Sequence, residues 1–372
     1  MDVFLKEVKD QNIGKIEEDV FLSKYTTYKV GGLAKCIIYP KDISKLVQLI
    51  KLIKKYNVKY KVIGNGSNLL FSDKRFDGVI IKLNNLDKLE IVGNKMIVGA
   101  GYSLMKLSLV AMKNSLTGLE FAAGIPATVG GAIFMNAGAY KSDMGYIVEE
   151  VLVITPELEI KKLYNRDLNF HYRTSFFKEN KDYIILQATI VLKRGKKDAI
   201  MAVIEDRKKR RLMSQPLDFP SAGSVFRNPV NNFAGKLIED IGYKGKNEGG
   251  AKVSEKHANF IINTGDATGK DIIKLIEEIK NEIDKGNGKH DAITHYMSKY
   301  GFVPPWVITK ILSLGTISKF YGLMKQQDRQ EVSKQFHIND RILKNILGNL
   351  TSVRNIAAHD DRLYTYRSTF YI

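Results

Sequence analysis

Short apolar runs alternate with amphipathic segments along the first 200 residues of the chain. The clearest amphipathic segment, residues 43–56, carries leucine and isoleucine on one side and lysines on the other, and Asp42 precedes it at a helix-capping position. Apolar runs rich in β-branched residues predict five strands, at residues 36–39, 60–63, 79–83, 151–154 and 184–191. This alternation predicts a fold of the α+β or α/β class.

The mixed pattern continues to about residue 285 and then changes. Its later elements are helices predicted at 199–212 and 269–283 and a strand at 259–263. Gly286-Asn287-Gly288 is typical of a flexible breaker, and the pattern beyond it is almost completely helical to Leu363. The predicted domains are therefore residues 1–197, residues 198–285 and an all-α segment at 286–372.

Composition is that of an ordinary soluble globular protein. The 372 residues are 44% hydrophobic and 26% charged, which suffices for a sizeable buried core. The formal net charge of +18 favours anionic partners, but the lysines are spread singly, which argues against a nucleic-acid surface. The single cysteine, Cys36, excludes an intramolecular disulfide framework, and charged residues interrupt the N-terminal segment, so no signal peptide is predicted. We expect a cytoplasmic protein.

Two glycine-rich segments are the candidate binding elements. Residues 64–68, G-N-G-S-N, follow a predicted strand, where backbone N–H groups can bind phosphate oxygens. Residues 124–138 lie in an uncharged stretch of membrane-spanning length, but a proline, an asparagine and several glycines there predict a binding loop instead. Neither segment has the G-x-G-x-x-G of nicotinamide-type folds, and a plain turn is the alternative for each one taken alone.

Together, these segments resemble the flavin-binding signatures of the UDP-N-acetylenolpyruvoylglucosamine reductases. The matching motifs, in the same order, are T-Y-K-V-G-G at 27–32, G-N-G-S-N-L-L at 64–70, G-L-E-F-A-A-G-I-P at 118–126, V-G-G at 129–131 and N-A-G-A at 136–139. Ala127 stands where the family usually has glycine, which is a conservative difference. The resemblance implies FAD and NADPH as cofactors, a monomer, a two-lobed FAD-binding domain of the PCMH type at 1–197 and an α+β substrate domain at 198–285. The implied cofactor-binding residues are Tyr28, Gly64, Asn65, Gly66, Ser67, Asn68, Gly124, Ile125, Pro126, Val129, Gly130, Gly131, Asn136 and Gly138.

The resemblance also implies a reaction and the residues that carry it. The matching motifs are Y-R-T-S-F-F-K at 172–178 and S-A-G-S-V-F-R-N-P at 221–229. The family reduces the enolpyruvyl ether of a UDP-linked sugar: NADPH supplies hydride to FAD, and the reduced flavin supplies hydride to the double bond. By resemblance, Arg173 stabilises the charge that spreads onto the carboxylate, and Ser224 supplies the proton. Tyr172 and Asn228 are the implied substrate contacts.

The resemblance to the reductases ends near residue 285. Its last segment, 249–260, contains Lys252 and His257, for which a site role and a structural role both stay open. The family normally continues through a short strand that supplies a third catalytic group, a glutamate. In this chain residues 286–290 provide no acidic residue in such a strand, and the glutamates of the preceding helix are poor substitutes. We therefore expect flavin binding and flavin reduction, with impaired turnover of substrate.

The remaining residues resemble the end of Abi-like abortive-infection proteins. The matching motifs are H-D-A-I-T-H-Y at 290–296, V-P-P-W-V at 303–307 and L-G-T-I-S at 314–318. Arg354 and His359 form the R-x4-H pattern that marks a ribonuclease site in related HEPN domains, where the two side chains serve as phosphate clamp and base. The alternative function is thus an RNA-directed or interaction module with a remnant flavin domain, and the alternative role for both residues is structural. We interpret the junction as gene fusion, recombination or sequence assembly.

Overall fold

The computed structural model describes residues 1–229, 232–288 and 314–358. Backbone contacts divide the chain into two units, Met1–Asn281 and Glu282–Ile372. The first unit combines helices with several sheets, and the described part of the second unit is helical. The predicted α+β class with an all-α extension is therefore confirmed.

The first lobe of the first unit is a four-stranded sheet covered by two helices on one face. Strands β1 and β2 pair antiparallel, whereas β2, β4 and β3 run parallel, in the spatial order β1-β2-β4-β3. The elements are α1 (Asp2–Asp10), β1 (Gly14–Phe21), β2 (Leu33–Pro40), α2 (Ile43–Lys55), β3 (Tyr60–Ile63) and β4 (Phe76–Lys82). Helix α2 confirms the predicted amphipathic helix: the Asp42 carboxylate accepts the Lys45 N–H at 2.8 Å, and Leu46 and Leu49 are fully buried.

The second lobe is a five-stranded antiparallel sheet in the spatial order β11-β10-β12-β6-β5. Its strands are β5 (Leu89–Val92), β6 (Lys95–Gly99), β10 (Val148–Ile154), β11 (Ile160–Tyr164) and β12 (Ile184–Val191). The segment between β6 and β10 contains α3 (Leu104–Lys113), β7 (Leu116–Thr117), α4 (Val129–Phe134), β8 (Gly138–Ala139) and β9 (Ser142–Asp143). One continuous apolar core joins the two lobes, since Ile38 of β2 and Ile190 of β12 belong to the same buried cluster.

A smaller α+β region follows the two lobes. Its elements are β13 (Lys193–Arg194), α5 (Lys197–Ser214), α6 (Ala234–Asp240), β14 (Asn247–Glu248), β15 (Ala251–Val253), β16 (Ile261–Asn263) and α7 (Gly269–Gly288). The Asp73 carboxylate of the first lobe accepts the N–H groups of Gly269 at 2.7 Å and Lys270 at 3.0 Å, and so caps α7. Asn263 Nδ2 also donates to the Tyr28 carbonyl at 3.0 Å. These bonds attach the region to the first lobe.

The structure corrects two details of the predicted elements. Helix α7 continues to Gly288, so residues 286–288 form its last turn and are not a breaker. Glycine weakens a helix interior by about 1 kcal/mol but keeps its N–H donor, so two glycines do not stop a helix that is already long. Within the predicted binding loop, residues 129–134 form α4, because the Thr128 hydroxyl caps them by accepting the Gly131 N–H at 3.2 Å.

The second unit contains three described helices, α8 (Leu314–Leu323), α9 (Gln326–Lys334) and α10 (Asp340–Ala358). Arg329 Nε and the buried Asp340 Oδ2 form an ion pair at 3.3 Å, and the Tyr321 hydroxyl donates to the Arg329 carbonyl at 3.0 Å. These contacts join α8, α9 and α10. No helix within the described ranges has both the length and the apolar character needed to cross a bilayer.

Candidate active site

The loop at residues 64–68 leaves the end of β3. Gly66 has a φ of +65°, and a Cβ there would lie 2.1 Å from the Tyr25 carbonyl oxygen, so only glycine fits. Within the described residues, no backbone carbonyl accepts the N–H groups of residues 65–68. The loop therefore presents consecutive N–H donors of the kind that binds phosphate oxygens, together with the side chains of Ser67 and Asn68.

The structure brings the two predicted binding loops into contact. Asn65 Nδ2 donates to the Pro126 carbonyl at 3.3 Å, and a Cβ on Gly64 would lie 2.4 Å from Thr128 Oγ1. A cavity of about 280 Å³ opens beside the first loop and is lined by Asn65, Asn84, Asp87, Gly101, Tyr102, Ser103 and Lys106. The two segments, 60 residues apart in the chain, thus form one site.

The second loop contributes mainly close-packed backbone to the site. The N–H groups of Val129 and Gly130 donate to the carbonyls of Tyr102 and Ala100 at 2.9 Å, and the N–H of Gly131 donates to Thr128 Oγ1 at 3.2 Å. Gly124 and Ile125 before them are half-buried, and Pro126 is exposed. Because the N–H groups of residues 129–131 have partners in the protein, these residues suit close approach to a flat ligand better than hydrogen bonding to phosphate.

Three buried polar atoms lack a hydrogen-bond partner within the described part of the chain. They are the Tyr28 hydroxyl, Thr27 Oγ1 and Gln215 Oε1. Burial raises the pKa of Tyr28, so its hydroxyl is neutral and able to donate. A buried polar group without a partner costs about 1–3 kcal/mol, so such atoms point to a ligand. Donors on Thr27 and Tyr28, an acceptor on Gln215 and the N–H groups of the first loop fit FAD, which offers phosphate oxygens, hydroxyls and ring N–H and carbonyl groups.

Arg173 lies at the edge of the second loop. It occupies a tight turn in which His171 and Thr174 exchange N–H···O hydrogen bonds of 3.0 Å, and its φ is +55°. Arg173 Nη2 donates to the Gly138 carbonyl at 2.7 Å, which holds the guanidinium against the predicted cofactor-binding segment. Tyr172 is 53% exposed, and its ring lies 5.2 Å from the Arg173 guanidinium carbon.

Asn136 positions this turn. Its side chain is 1% exposed; Nδ2 donates to the His171 carbonyl at 2.8 Å, and Oδ1 accepts the Gly145 N–H at 2.9 Å. Both ends of the amide therefore have protein partners. The contacts support a role for Asn136 in positioning the Arg173 turn, beside any contact with the cofactor that the sequence predicts.

Ser224 lies on an exposed segment whose backbone is hydrogen-bonded to a buried asparagine, Asn259. Ser224 forms a single β-bridge with Phe260, and the Val225 N–H donates to the Asn259 carbonyl at 2.9 Å. The Asn259 side chain, 3% exposed, accepts the Phe226 N–H at 2.8 Å and donates to the Phe226 carbonyl at 2.9 Å. Three backbone groups next to Ser224, the Val225 N–H and the N–H and carbonyl of Phe226, are thus fixed, and Ser224 itself is exposed.

Asn228 and His257 have contacts that bear on their predicted roles. Asn228 Oδ1 accepts the Ala234 N–H at 3.1 Å at the start of α6, so part of this amide serves as a helix cap. His257 Nδ1 accepts the Asn259 N–H at 3.2 Å, and burial is the main factor that lowers the pKa of His257. His257 therefore supports the residue that holds the Ser224 segment. Lys252 forms an exposed ion pair with Glu255 at 2.6 Å.

Sequence reasoning missed several cations at the site. A Cβ on Gly124 would lie 2.7 Å from Arg211 Nη1, and burial lowers the pKa of Arg211. Lys82, 7% exposed, donates to the Gly64 carbonyl at 2.9 Å, and burial lowers its pKa. Arg227 and Lys178 approach the Arg173 turn. In the sequence, the basic run at 207–211 could have indicated Arg211, and the motifs at 172–178 and 221–229 contain Lys178 and Arg227.

The predicted secondary site falls largely outside the described structure. Arg354 belongs to the last turns of α10, and His359 lies outside the described residues. Among the described residues, no group of three or more histidine, cysteine, aspartate or glutamate side chains could hold a metal ion.

Fold and site together define a flavoprotein of the FAD-binding-domain class, and comparisons with known proteins agree. A model of the FAD binding domain matches residues 34–164. A model of the UDP-N-acetylenolpyruvoylglucosamine reductase C-terminal domain matches residues 215–290. The two matches cover the cofactor loops and the Ser224 segment respectively.

Relatives along most of the chain specify the family. UDP-N-acetylenolpyruvoylglucosamine reductase of Anoxybacillus flavithermus is 44% identical over 284 residues, which is 76% of this chain and 94% of the relative. The protein of that name from Bacillus subtilis is 42% identical over 284 residues, with the same coverage. The chain belongs to the UDP-N-acetylenolpyruvoylglucosamine reductase family. The crystal structure of the Thermus caldophilus reductase matches with a TM-score of 0.65 and 33% identity, covering 72% of this chain and 95% of that one.

Proposed function

We propose that this chain reduces UDP-N-acetylglucosamine enolpyruvate to UDP-N-acetylmuramate in peptidoglycan precursor synthesis, with FAD bound and NADPH as the donor. The name shared by the relatives and the FAD-binding domain support this function. The enzyme works as a monomer in the cytoplasm. Its functional domains are an FAD-binding domain at 1–197, a substrate domain at 198–285 and a helical extension at 286–372.

One observation supports this function above the others. The Arg173 guanidinium donates to the Gly138 carbonyl at 2.7 Å and thereby lies against the loop proposed to hold the flavin. An arginine presents a fork of N–H donors that matches a carboxylate, and the enolpyruvyl group carries one. A carboxylate bound to the outer N–H groups of Arg173 would keep the substrate double bond next to the cofactor loop.

Each functional group has a distinct task in the proposed reaction. When bound, FAD supplies the hydride that is added to the enolpyruvyl double bond. Arg173 stabilises the negative charge that spreads onto the substrate carboxylate, because its own charge is fixed at every physiological pH. Ser224 Oγ–H supplies the proton to the adjacent carbon, and a hydroxyl does this only where neighbouring donors stabilise the resulting alkoxide. Tyr172 and Asn228 orient the sugar nucleotide from the exposed side of the turn and segment.

The proposed enzyme lacks the third catalytic group of its family. The reductase C-terminal domain model ends at residue 290, and the alignments with reductases of the family cover 94% to 97% of those proteins' own length. The glutamate that the family supplies after its last long helix has no counterpart in the sequence beyond 285. We therefore expect the chain to bind FAD and to oxidise NADPH, with slow reduction of the substrate.

The test separates these steps. Purified protein, supplemented with FAD, is expected to show the visible flavin band, to lose it with NADPH under anaerobic conditions, and to regain it when UDP-N-acetylglucosamine enolpyruvate is added. UDP-N-acetylglucosamine without the enolpyruvyl group is the matched control and restores no colour. Protein that binds no flavin would refute the proposed function. Reoxidation at the rate of a full-length relative assayed in parallel would refute the proposed role of the missing glutamate.

A second candidate function belongs to the helical extension. This proposal rests on the sequence alone, because the motifs at 290–296, 303–307 and 314–318 resemble those of Abi-like proteins. This fragment would act on RNA through Arg354 and His359. Cleavage of a labelled single-stranded RNA by the full chain, abolished by Arg354→Ala, is the expected result; equal cleavage by both proteins, or none, would exclude it.

A further inference from the structure

Arg173 has a backbone conformation that its side chain does not favour. His171 and Thr174 close the turn with two hydrogen bonds of 3.0 Å, which leaves Tyr172 and Arg173 as its central residues. Arg173 has a φ of +55°, a value at which turns prefer glycine or asparagine. Such a residue costs about 1–3 kcal/mol and persists only where its surroundings hold it.

Two cations meet at the carbonyl oxygen of Arg173. Arg227 Nη2 donates to it at 3.0 Å, and Lys178 Nζ lies at 3.5 Å. Lys178 is close in sequence, whereas Arg227 comes from the Ser224 segment, 54 residues away. The pKa of Lys178 is lowered, first by its burial and then by the charges of Arg227 and Lys181. The two cations thus share one acceptor although they repel each other.

Arg227 lies in the same segment as Ser224, so its bond links that segment to the Arg173 turn. Arg227 follows Ser224 by three residues, and Asn259 fixes the peptide of Phe226 between them through two hydrogen bonds. The backbone of the Ser224 segment is thereby connected, through the Arg227 side chain, to the backbone of the Arg173 turn. A hydrogen bond from a charged donor is among the stronger ones in proteins.

We propose that Arg227 is a positioning residue: its bond to the Arg173 carbonyl holds the turn in the left-handed conformation and sets the separation of Arg173 from Ser224. The inference rests on the proposed function, because it gives Arg227 a task in the same reaction. The substrate does not need to contact Arg227 for this role. Arg227 acts through Arg173, since it holds the backbone from which the catalytic guanidinium projects.

The first experiment tests whether the hydrogen bond from Arg227 stabilises the Arg173 turn, and it needs no substrate turnover. Hydrogen–deuterium exchange, followed by mass spectrometry, is compared between the full chain and Arg227→Met. We expect faster exchange in peptides covering 171–178 and unchanged exchange in the sheet strands. Arg227→Lys keeps a charged donor and should restore most of the protection. Arg166→Met is the matched control, because the Arg166 side chain is 84% exposed and pairs with the adjacent Asp167.

The second experiment measures the consequence for the reaction. In Arg227→Met, reoxidation of the reduced flavin at saturating substrate should slow by about 10- to 100-fold, the size expected when a reacting group is misplaced. KM should change little, flavin reduction by NADPH should not change, and Arg227→Lys should recover most of the rate. In an Arg173→Lys background, the further change Arg227→Met should have almost no effect, because it would act through a group already altered.

Three results would overturn the proposal. Unchanged exchange at 171–178 would show that Arg227 does not hold the turn. A raised KM with an unchanged maximal rate would show a direct contact with substrate, and additive losses with Arg173→Lys would show independent action. If the wild-type protein binds no flavin or reduces no substrate, the proposed function fails. The exchange experiment still decides whether Arg227 stabilises the Arg173 turn.

Discussion

The Arg173 turn and the Ser224 segment lie on different elements and are held in different ways. Arg173 is half-buried, has a left-handed backbone, and is bound through both its guanidinium and its carbonyl. Ser224 is exposed, and its segment pairs with residues 259–260 in ordinary extended structure. Charged contacts thus hold the arginine in a strained conformation, whereas the buried Asn259 amide holds the serine segment.

This difference predicts how each region responds to substitution. A change at Ser224 removes only a surface hydroxyl, so its effect should be confined to chemistry. A change at Arg173 removes a catalytic charge and also a bond to Gly138. A change at Asn259 leaves the reacting groups in place and removes their support. Each case can be tested separately.

The largest effect is expected for Ser224→Ala. Loss of a proton donor in the transition state should slow reoxidation of the reduced flavin by about 10²- to 10⁴-fold. Because the residue is exposed, the urea midpoint should not change. Ser214→Ala, a change at another exposed serine at the end of α5, serves as the control and should behave like wild type. A loss below about tenfold would contradict the assignment of Ser224 as the proton donor.

Arg173→Lys should follow in size, with a loss of about 10²- to 10³-fold in the same step. Lysine keeps the charge but lacks the planar fork that binds a carboxylate and Gly138 together. Stopped-flow absorbance separates this step from reduction by NADPH, which should keep its rate. Equal slowing of both steps would place the defect at the flavin and not at the substrate carboxylate. Arg166→Lys is the matched change at an exposed arginine.

Asn259→Ala should destabilise the protein by about 1–3 kcal/mol, because it leaves the half-buried N–H and carbonyl of Phe226 without their buried amide partner. Urea denaturation followed by circular dichroism measures this change. Asn263→Ala removes an equally buried amide that binds the Tyr28 carbonyl. Asn263→Ala should weaken FAD binding more than it slows reoxidation of the reduced flavin. The reverse pattern would show that Asn263 does not act on the cofactor region separately from the Ser224 segment.

The smallest effect concerns pH. Burial lowers the pKa of His257 in the folded protein, and Nδ1 accepts the Asn259 N–H, which requires the neutral ring. The unfolded chain titrates near its ordinary value of about 6.5 and binds the proton first, so His257 contributes stability above that pH and loses it as the pH falls toward the folded pKa. His257→Gln should therefore reduce the drop in melting temperature between about pH 7.5 and 5.5. An unchanged drop would show that another group is responsible.

Local features of the chain were sufficient to predict much of the fold. The apolar spacing of 43–56 predicted α2, and runs at 60–63 and 184–191 match β3 and β12. Glycines at 64 and 66 predicted a loop in which Gly66 indeed has a positive φ. The end of α7 was misplaced, because a glycine pair only lowers helix propensity, whereas the helix that precedes it decides whether the final turn forms.

The amino-acid sequence by itself determined the elements, the glycine loops and the family, since these depend on residue types at short spacing. Only the tertiary structure decided that Pro126 meets Asn65, that Asn259 holds Phe226 and that Arg227 reaches the Arg173 carbonyl. These contacts join residues 33 to 61 positions apart. No local periodicity encodes them, because a hydrogen bond of this kind depends on how separate elements pack and on which backbone groups remain without partners.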